Sequence, residues 1–347
     1  MRNIIFFVIS SFLFSCSPHR DETETSISVK DYFNYGDTGV QVAGIKMIPI
    51  KTPVGTFNVW TKRFGNNPKV KILLLHGGPA TGHEYMECFE SFFPQEGYEF
   101  YEYDQLGAPY SDQPTDSSLW TIDRYVDEVE QVRKAIGADS SNFYILGNSW
   151  GGMLAMQYAL KYQSNMKAMI VADMVASIPD YNKYAYGVLA KQMDPKVFQE
   201  IMDIEKRKDF NNSGYDSLLI PNFYQKHICR LDPWPEPVTR AFRHFDASKV
   251  SKQIYVMMQG PSEFGASGRL ADWDIKDQLK KIKIPTLMVG AKNDTMDPAA
   301  MEAQSKAVQH GRYLYCPNGS HLCMWDDQKI FMNGVIGFIN DVNERKF

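Results

Sequence analysis

Short apolar runs alternate with amphipathic stretches along most of this chain, and the texture changes once, in the middle. Residues 44–50 and 56–63 read as two strands around a Pro53-Val54-Gly55 turn, a hairpin suited to the edge of a larger sheet. Residues 70–75 form a short, almost wholly apolar run, the mark of a central strand buried on both faces. The segments 99–103, 142–146, 166–172, 285–290 and 312–316 repeat that mark. Between them, 85–93 reads as a helix. Residues 122–136 place apolar side chains at 122, 126, 129, 132 and 136, a helical period. Residues 273–282, 298–308 and 327–342 complete the helices, with Pro298 suited to a first helical position. Strand and helix in alternation predict a mostly parallel sheet covered on both faces.

From about Val175 the short apolar strands stop. Residues 181–245 are rich in Lys, Tyr, Asp, Asn and Pro, and helical segments alternate with breakers such as Asp232-Pro233-Trp234-Pro235-Glu236-Pro237. The region 175–250 is therefore read as a helical cap inserted between two parts of one α/β domain, 30–174 and 251–347. Lids of this kind close over a site and exclude water.

The first 29 residues belong to neither part. Arg2 precedes an apolar run, Ile4 to Phe14, too short to span a bilayer as a helix. The run ends in Phe12-Leu13-Phe14-Ser15-Cys16, which resembles a bacterial lipoprotein signal. That resemblance implies removal of residues 1–15, a lipidated Cys16, a polar tether over 16–29, and a catalytic domain held at a membrane in the cell envelope, outside the cytoplasm. A plain secretory signal with a chance cysteine is the competing reading.

Composition excludes more than it selects. The 347 residues are 44% hydrophobic, enough for a large core, and the formal net charge of -4 offers no basic groove for nucleic acid. None of the five cysteines has C-x-x-C metal spacing, although Cys316 and Cys323 are close enough in sequence to pair across a loop.

The chemistry centres on Tyr144-Ile145-Leu146-Gly147-Asn148-Ser149-Trp150-Gly151-Gly152. Gly147, Ser149 and Gly151 fill the pattern G-x-S-x-G, in which a tight strand-to-helix turn lifts a serine hydroxyl above the sheet. A serine nucleophile needs a histidine to take its proton and an acid to orient that histidine. Asp294 lies just past one predicted strand and His321 just past the last, so both reach the same sheet edge as Ser149. Asp297 is the rival acid; Asp326 and Asp327 are expected to cap the final helix. Two N–H groups must face the developing oxyanion. Trp150 supplies the first, and Gly78 the second, with Gly77 as the substitute; both glycines end the 70–75 strand. His76 shapes that loop, and Asp104, where a strand meets a loop, holds its loop by accepting backbone N–H groups. No metal or cofactor is required.

These stretches together resemble the proline iminopeptidase family of α/β-hydrolase-fold serine aminopeptidases, and especially its tricorn-interacting branch. The resemblance runs from about Val40 to Ile339. It is carried by Leu74-Leu75-His76-Gly77-Gly78-Pro79, Asp104-Gln105-Leu106-Gly107, Gly147–Gly152, Met258-Gln259-Gly260-Pro261-Ser262-Glu263-Phe264 and Gly319-Ser320-His321-Leu322-Cys323-Met324-Trp325. It implies release of an N-terminal residue, often proline, from short peptides. It also implies carboxylates that bind the free amine: Glu263 from the G-P-x-E-F stretch, and a cap acid before a Trp-Pro pair, here Asp232 or, with a slipped alignment, Glu236. The alternatives are an esterase, amidase or amino-acid ester hydrolase with the same three residues, and a binding lipoprotein that kept only the fold.

Overall fold

A computed structural model describes residues 28–34, 44–210 and 213–347. Cys16 and the leader expected before it lie outside the described residues. Ser28, placed in the tether by sequence, instead caps a one-turn helix, Val29–Tyr32, and Tyr32 is buried with its hydroxyl on the Tyr98 carbonyl.

Eight strands form one sheet in the order β1-β2-β4-β3-β5-β6-β7-β8. They are β1 (Ile45–Thr52), β2 (Gly55–Phe64), β3 (Lys71–Leu75), β4 (Glu99–Asp104), β5 (Phe143–Asn148), β6 (Ala168–Ala172), β7 (Thr286–Ala291) and β8 (Gly311–Cys316). The β1–β2 hairpin is antiparallel, as is β2 against β4; every other pair is parallel. The apolar runs explain the centre. Strands β4 to β7 are buried almost end to end, and alternate side chains feed two cores. Leu73, Leu75, Ile145 and Val171 point to one face, where Val126, Val129 and Leu154 meet them. Ile72, Leu74, Tyr144 and Ile170 point to the other, against Phe331, Val335 and Phe338.

Helices α1 (Ile122–Ala135) and α2 (Trp150–Tyr162) cover the first face. After β6 come the helices of the inserted region: α3 (Ile178–Gly187), α4 (Pro195–Arg207), α5 (Glu236–Ala247) and α6 (Lys249–Met258), with a helical run from Ser213 to His227, π-helical over Ile220–Tyr224, between α4 and α5. Ser177, Asp194 and Ser248 cap α3, α4 and α6 by accepting N–H groups of the first turn. Helical structure continues past residue 250 to Met258. α7 (Pro298–Ala307) follows β7, and α8 (Gln328–Asn343) closes the chain.

Two expected helices differ. Residues Glu84–Ser91 form a 3-10 rather than an α-helix. Of 273–282 only Lys276–Lys281 is helical, also 3-10. There Asp274 bridges to Ser177 and Ile275 donates its N–H to Ala176 O, so these residues are pinned to the start of the insertion in an extended form.

The insertion is tied down over the sheet edge. Arg240 on α5 pairs with Glu84 at 2.9 Å and with Glu87, both on the 84–91 turn, and His244 and Tyr110 also reach Glu84.

Candidate active site

Strand β5 runs two residues further than the apolar run suggests, to Asn148, and α2 starts at Trp150. Ser149 alone makes the turn, with φ 56° and ψ -125°. That backbone is costly for a residue with a side chain, and the surroundings impose it. A Cβ at Gly147 would lie 2.1 Å from the Gly151 carbonyl oxygen, and one at Gly151 would lie 1.9 Å from that of Leu75. The G-x-S-x-G glycines are thus a packing requirement of strand, turn and helix. The Ser149 N–H donates to Ala172 O at 3.0 Å, which fixes the turn to β6.

Asp294 lies beyond β7 and His321 beyond β8. His321 Nδ1 is 2.7 Å from Asp294 Oδ1 and 3.2 Å from Thr295 Oγ1. With a proton on Nδ1 facing the carboxylate, the Nε2 lone pair is free to act as a base. Burial works to lower the pKa of His321. The Asp294 charge and hydrogen bond, with Glu263 and Asp326 further off, outweigh it and hold the ring above its ordinary value. Asp297, the rival acid, caps α7 by accepting the Ala299 N–H at 2.9 Å. Asp326 and Asp327 depart from expectation. Neither carboxylate caps α8. Asp327 accepts the Asn318 N–H and Asp326 the Ser320 N–H, each at 2.9 Å, so both brace the loop that carries His321.

Beside Ser149, the β3 loop brings up Gly77 and Gly78. The Gly77 N–H is already used, donating to Tyr85 Oη at 2.6 Å, whereas among the described residues the Gly78 N–H has no acceptor. Trp150 is the first residue of α2, where no helical carbonyl precedes its N–H. His76 accepts the Gln105 N–H at Nε2 and so carries its proton on Nδ1, toward Gly77 O at 2.8 Å. Burial lowers its pKa, consistent with a neutral ring that shapes the loop. Asp104 accepts the N–H groups of His83 and Tyr110, the loop-holding role its position implied.

Ser149, His321, Gly77, Gly78 and Glu263 line one cleft of about 370 Å³, mouth included, with Ile228, Phe242 and Leu322 as its apolar wall. Glu263 is half-buried. Its Oε1 accepts from Tyr255 Oη at 2.6 Å, and its backbone is held by Tyr224 and Tyr181. Burial pushes its pKa up, the more so for Asp294 nearby, while His321 and the Tyr255 hydrogen bond pull it down; the balance lies above the ordinary carboxylate value.

Asp232 is not brought to the cleft. It is exposed and lines no part of it, because the neighbouring Trp234 turns inward onto Phe242 and the Cys229 carbonyl, leaving the start of the turn in solvent. Glu236 is exposed too and pairs with Arg240. Cys316 and Cys323 are buried, free thiols. The sequence reading missed Tyr85, Tyr255 and Thr295. Thr295 adjoins Asp294 in the same turn and could have been found there; the two tyrosines carry no local signal among the 19 in the chain. Among the described residues, no group of His, Cys, Asp and Glu could hold a metal ion. The arrangement as a whole can deliver a serine oxygen to a carbonyl carbon, hold the resulting oxyanion, and return a proton to a leaving group.

Over residues 71–328 the chain matches the alpha/beta hydrolase fold family. It is 70% identical over 300 residues to a proline iminopeptidase of Flavobacterium johnsoniae, an overlap of 86% of this chain and 99% of that protein. A proline iminopeptidase of Chitinophaga pinensis is 55% identical over 299 residues, 86% of this chain and 98% of that one. Among solved structures, VinJ aligns with a TM-score of 0.78 at 25% identity over 85% of this chain and 98% of its own. The proline iminopeptidase of Mycobacterium smegmatis aligns at 0.76 and 24% identity over 87% and 100%, a likeness of fold.

Proposed function

This chain belongs to the proline iminopeptidase family of α/β hydrolases, and from that premise we propose how its cleft works and on what. It is a serine aminopeptidase that releases N-terminal proline through an acyl-enzyme. The observation that carries our assignment of roles is the placement of a half-buried carboxylate, Glu263, in the same cleft as Ser149 and His321. Desolvating a carboxylate is costly unless it has a partner. A substrate's free, positive N-terminus is such a partner, and a blocked N-terminus is not.

Ser149 attacks the first peptide carbonyl while His321 Nε2 takes its proton. Asp294 holds the imidazole in the right tautomer and balances the imidazolium. The N–H groups of Trp150 and Gly78 receive the oxyanion. His321 then gives its proton to the departing peptide nitrogen, the C–N bond breaks, and the first residue remains as an ester on Ser149. Water, activated by the same imidazole, cleaves that ester and frees the amino acid. The braced His321 loop and the unused Gly78 N–H support these roles. The substrates are short peptides, since the insertion covers the cleft and α5 is fastened across it. Asp232 has no part in amine binding on this reading.

Turnover of prolyl- and other aminoacyl-anilides, free and N-acetylated, beside plain acyl esters tests the proposal, with Ser149→Ala as control. Cleavage of free but not acetylated substrates, lost in Ser149→Ala, is expected. Equal turnover of acetylated substrates or plain esters would make the protein a general ester or amide hydrolase.

We propose further that Cys16 is lipidated and anchors the catalytic domain in the cell envelope, on the strength of the apolar run and the Leu13-Phe14-Ser15-Cys16 sequence before the polar tether. Labelled fatty acid should be incorporated into the wild type, and Cys16→Ala should leave the membrane fraction unlabelled.

A further inference from the structure

Behind the Asp294–His321 pair lies a second buried acid that the mechanism above does not use. Asp173 follows the last residue of β6 as Ser149 follows β5, and it too has a positive φ, 54°. Its side chain is fully buried. Asn148 Nδ2 donates to its Oδ2 at 3.3 Å, and Cys323 Sγ at 3.2 Å. β6 and β7 are neighbouring parallel strands, and the Asp173 N–H donates to Val289 O of β7, so Asp173 leaves the sheet beside the strand that leads to Asp294, whose charge acts on it. On the Asp294 side, Oδ1 serves His321 and Thr295, while among the described residues Oδ2 is buried with no N–H or hydroxyl to accept from. An orphaned, buried carboxylate oxygen is costly, and a protonated carboxyl beside it is a group that can donate to it.

We propose that Asp173 is a positioning residue which, as the neutral acid, donates a hydrogen bond to Asp294 Oδ2 and so fixes the carboxylate that orients His321. Its Oδ2 receives the Asn148 amide and the shorter of two contacts from Cys323 Sγ, which lies 3.5 Å from Oδ1, so Oδ1 is the oxygen left to carry the proton. Two carboxyls this close and this buried cannot both ionise. Burial first, and the Asp294 charge second, push Asp173 well above the carboxylate range. The other titratable groups facing it are Cys316, Cys323, Tyr85 and Tyr313, none of a type that carries positive charge, so none of them favours the ionised carboxylate. The inference rests on the aminopeptidase reading only through the roles of Asp294 and His321.

The test compares Asp173→Asn, whose amide can still donate and which tolerates the positive φ, with Asp173→Ala, which cannot donate. Asp173→Ala should lower kcat by about tenfold or more with KM little changed. It should also move the acidic limb of kcat/KM to higher pH, since an Asp294 charge no longer shared with a donor makes His321 more basic. Asp173→Asn should restore both. An Asp173→Ala enzyme with unchanged kcat and pH limb, or an Asp173→Asn enzyme as damaged as Asp173→Ala, overturns the proposal. Should Asp173→Ala fail to fold, infrared difference spectra decide: wild type minus Asp173→Asn must show the carbonyl band of a protonated carboxylic acid at neutral pH, and its absence refutes the idea. If the protein turns over plain esters rather than aminoacyl-anilides, the same comparisons are read on the ester, so a failed substrate assignment stays distinguishable from a failed Asp173 role.

Discussion

Replacing Glu263 with Gln separates the charge at the amine end of the cleft from everything else that residue does. Gln has the same shape, and its Oε1 can still accept the Tyr255 hydroxyl now 2.6 Å from Glu263. Only the negative charge is lost. An exposed ion pair would be worth about 0.2–1 kcal/mol, whereas truncating one member of a buried, hydrogen-bonded pair costs about 2–5 kcal/mol. Glu263 is half-buried, and a bound substrate would cover the rest of it, which argues for the second range. Burial has already raised its pKa, so part of the pair's Coulombic gain is spent on desolvation. We therefore expect about 2–3 kcal/mol, a loss of roughly 30- to 160-fold in kcat/KM. The substrate amine keeps its charge throughout the reaction, so the interaction is nearly the same in ground and transition states and the loss should fall on KM.

The assay pairs prolyl-anilide with cyclopentanecarbonyl-anilide, which has the same ring size and no amine. Glu263→Gln should cost the first substrate the full factor and leave the second unchanged or improved, because an uncompensated carboxylate no longer faces an apolar ring. The free enzyme should lose no stability, and its Tm serves as control. Equal losses on both substrates would mean that Glu263 shapes the cleft instead of binding an amine. No loss on prolyl-anilide would remove it from recognition altogether.

Other expectations follow from the same geometry. His321 must be neutral to act as base and its pKa is held above 6.5; kcat/KM should therefore fall as pH drops through that value, and a limb centred below 6.5 would contradict the Asp294 assignment. Asp294→Asn should lower kcat by about 10⁴ with the fold intact. Asp297→Ala should leave kcat alone and cost about 1 kcal/mol of stability in denaturant titration, as loss of an N-cap does. Gly151→Ala, with its Cβ placed 1.9 Å from the Leu75 carbonyl oxygen, should destabilise by more than about 3 kcal/mol or fail to fold. Asp232→Asn should leave kcat/KM for free aminoacyl substrates within about twofold, since surface changes away from a site are close to neutral.

What could be read in the sequence was whatever a strand end locates. An apolar run buried on both faces announces its own terminus, and in a parallel sheet all such termini share one edge. Ser149, Asp294, His321 and Gly78 were legible for that reason, and so was the wish of Asp104 for backbone N–H groups. The same rule applied to Ala172, the last residue of β6, places Asp173 at that edge as well. Asp232 fails on the other side of the rule. It belongs to a turn between helices, where no sheet supplies a coordinate and where the inward rotation of Trp234 decides which neighbour faces solvent. Asp326 and Asp327 precede a helix and so resemble caps, yet their carboxylates serve a loop whose fold the local sequence does not reveal.

How far Glu263 stands from Ser149 is set where the inserted helices meet the body of the protein. Glu263 follows α6, and α6 is seated on the loop after β4: Ser251 Oγ donates to Gly107 O at 2.8 Å, and Ile254 lies so close that a Cβ at Gly107 would meet it at 2.3 Å. The Glu263 N–H donates to Tyr224 Oη and its carbonyl accepts from Tyr181 Oη, so the backbone is gripped on both sides and the side chain is oriented by Tyr255. Three tyrosines thus spend their hydroxyls on one acid. On the proposed reading this stiffness is what counts residues. A mobile carboxylate would follow the amine of a longer N-terminal segment and let Ser149 reach the second or third carbonyl. A fixed one admits a single residue between amine and nucleophile. Cleavage after the first residue, and no further along, then follows from the clamp on the Glu263 backbone.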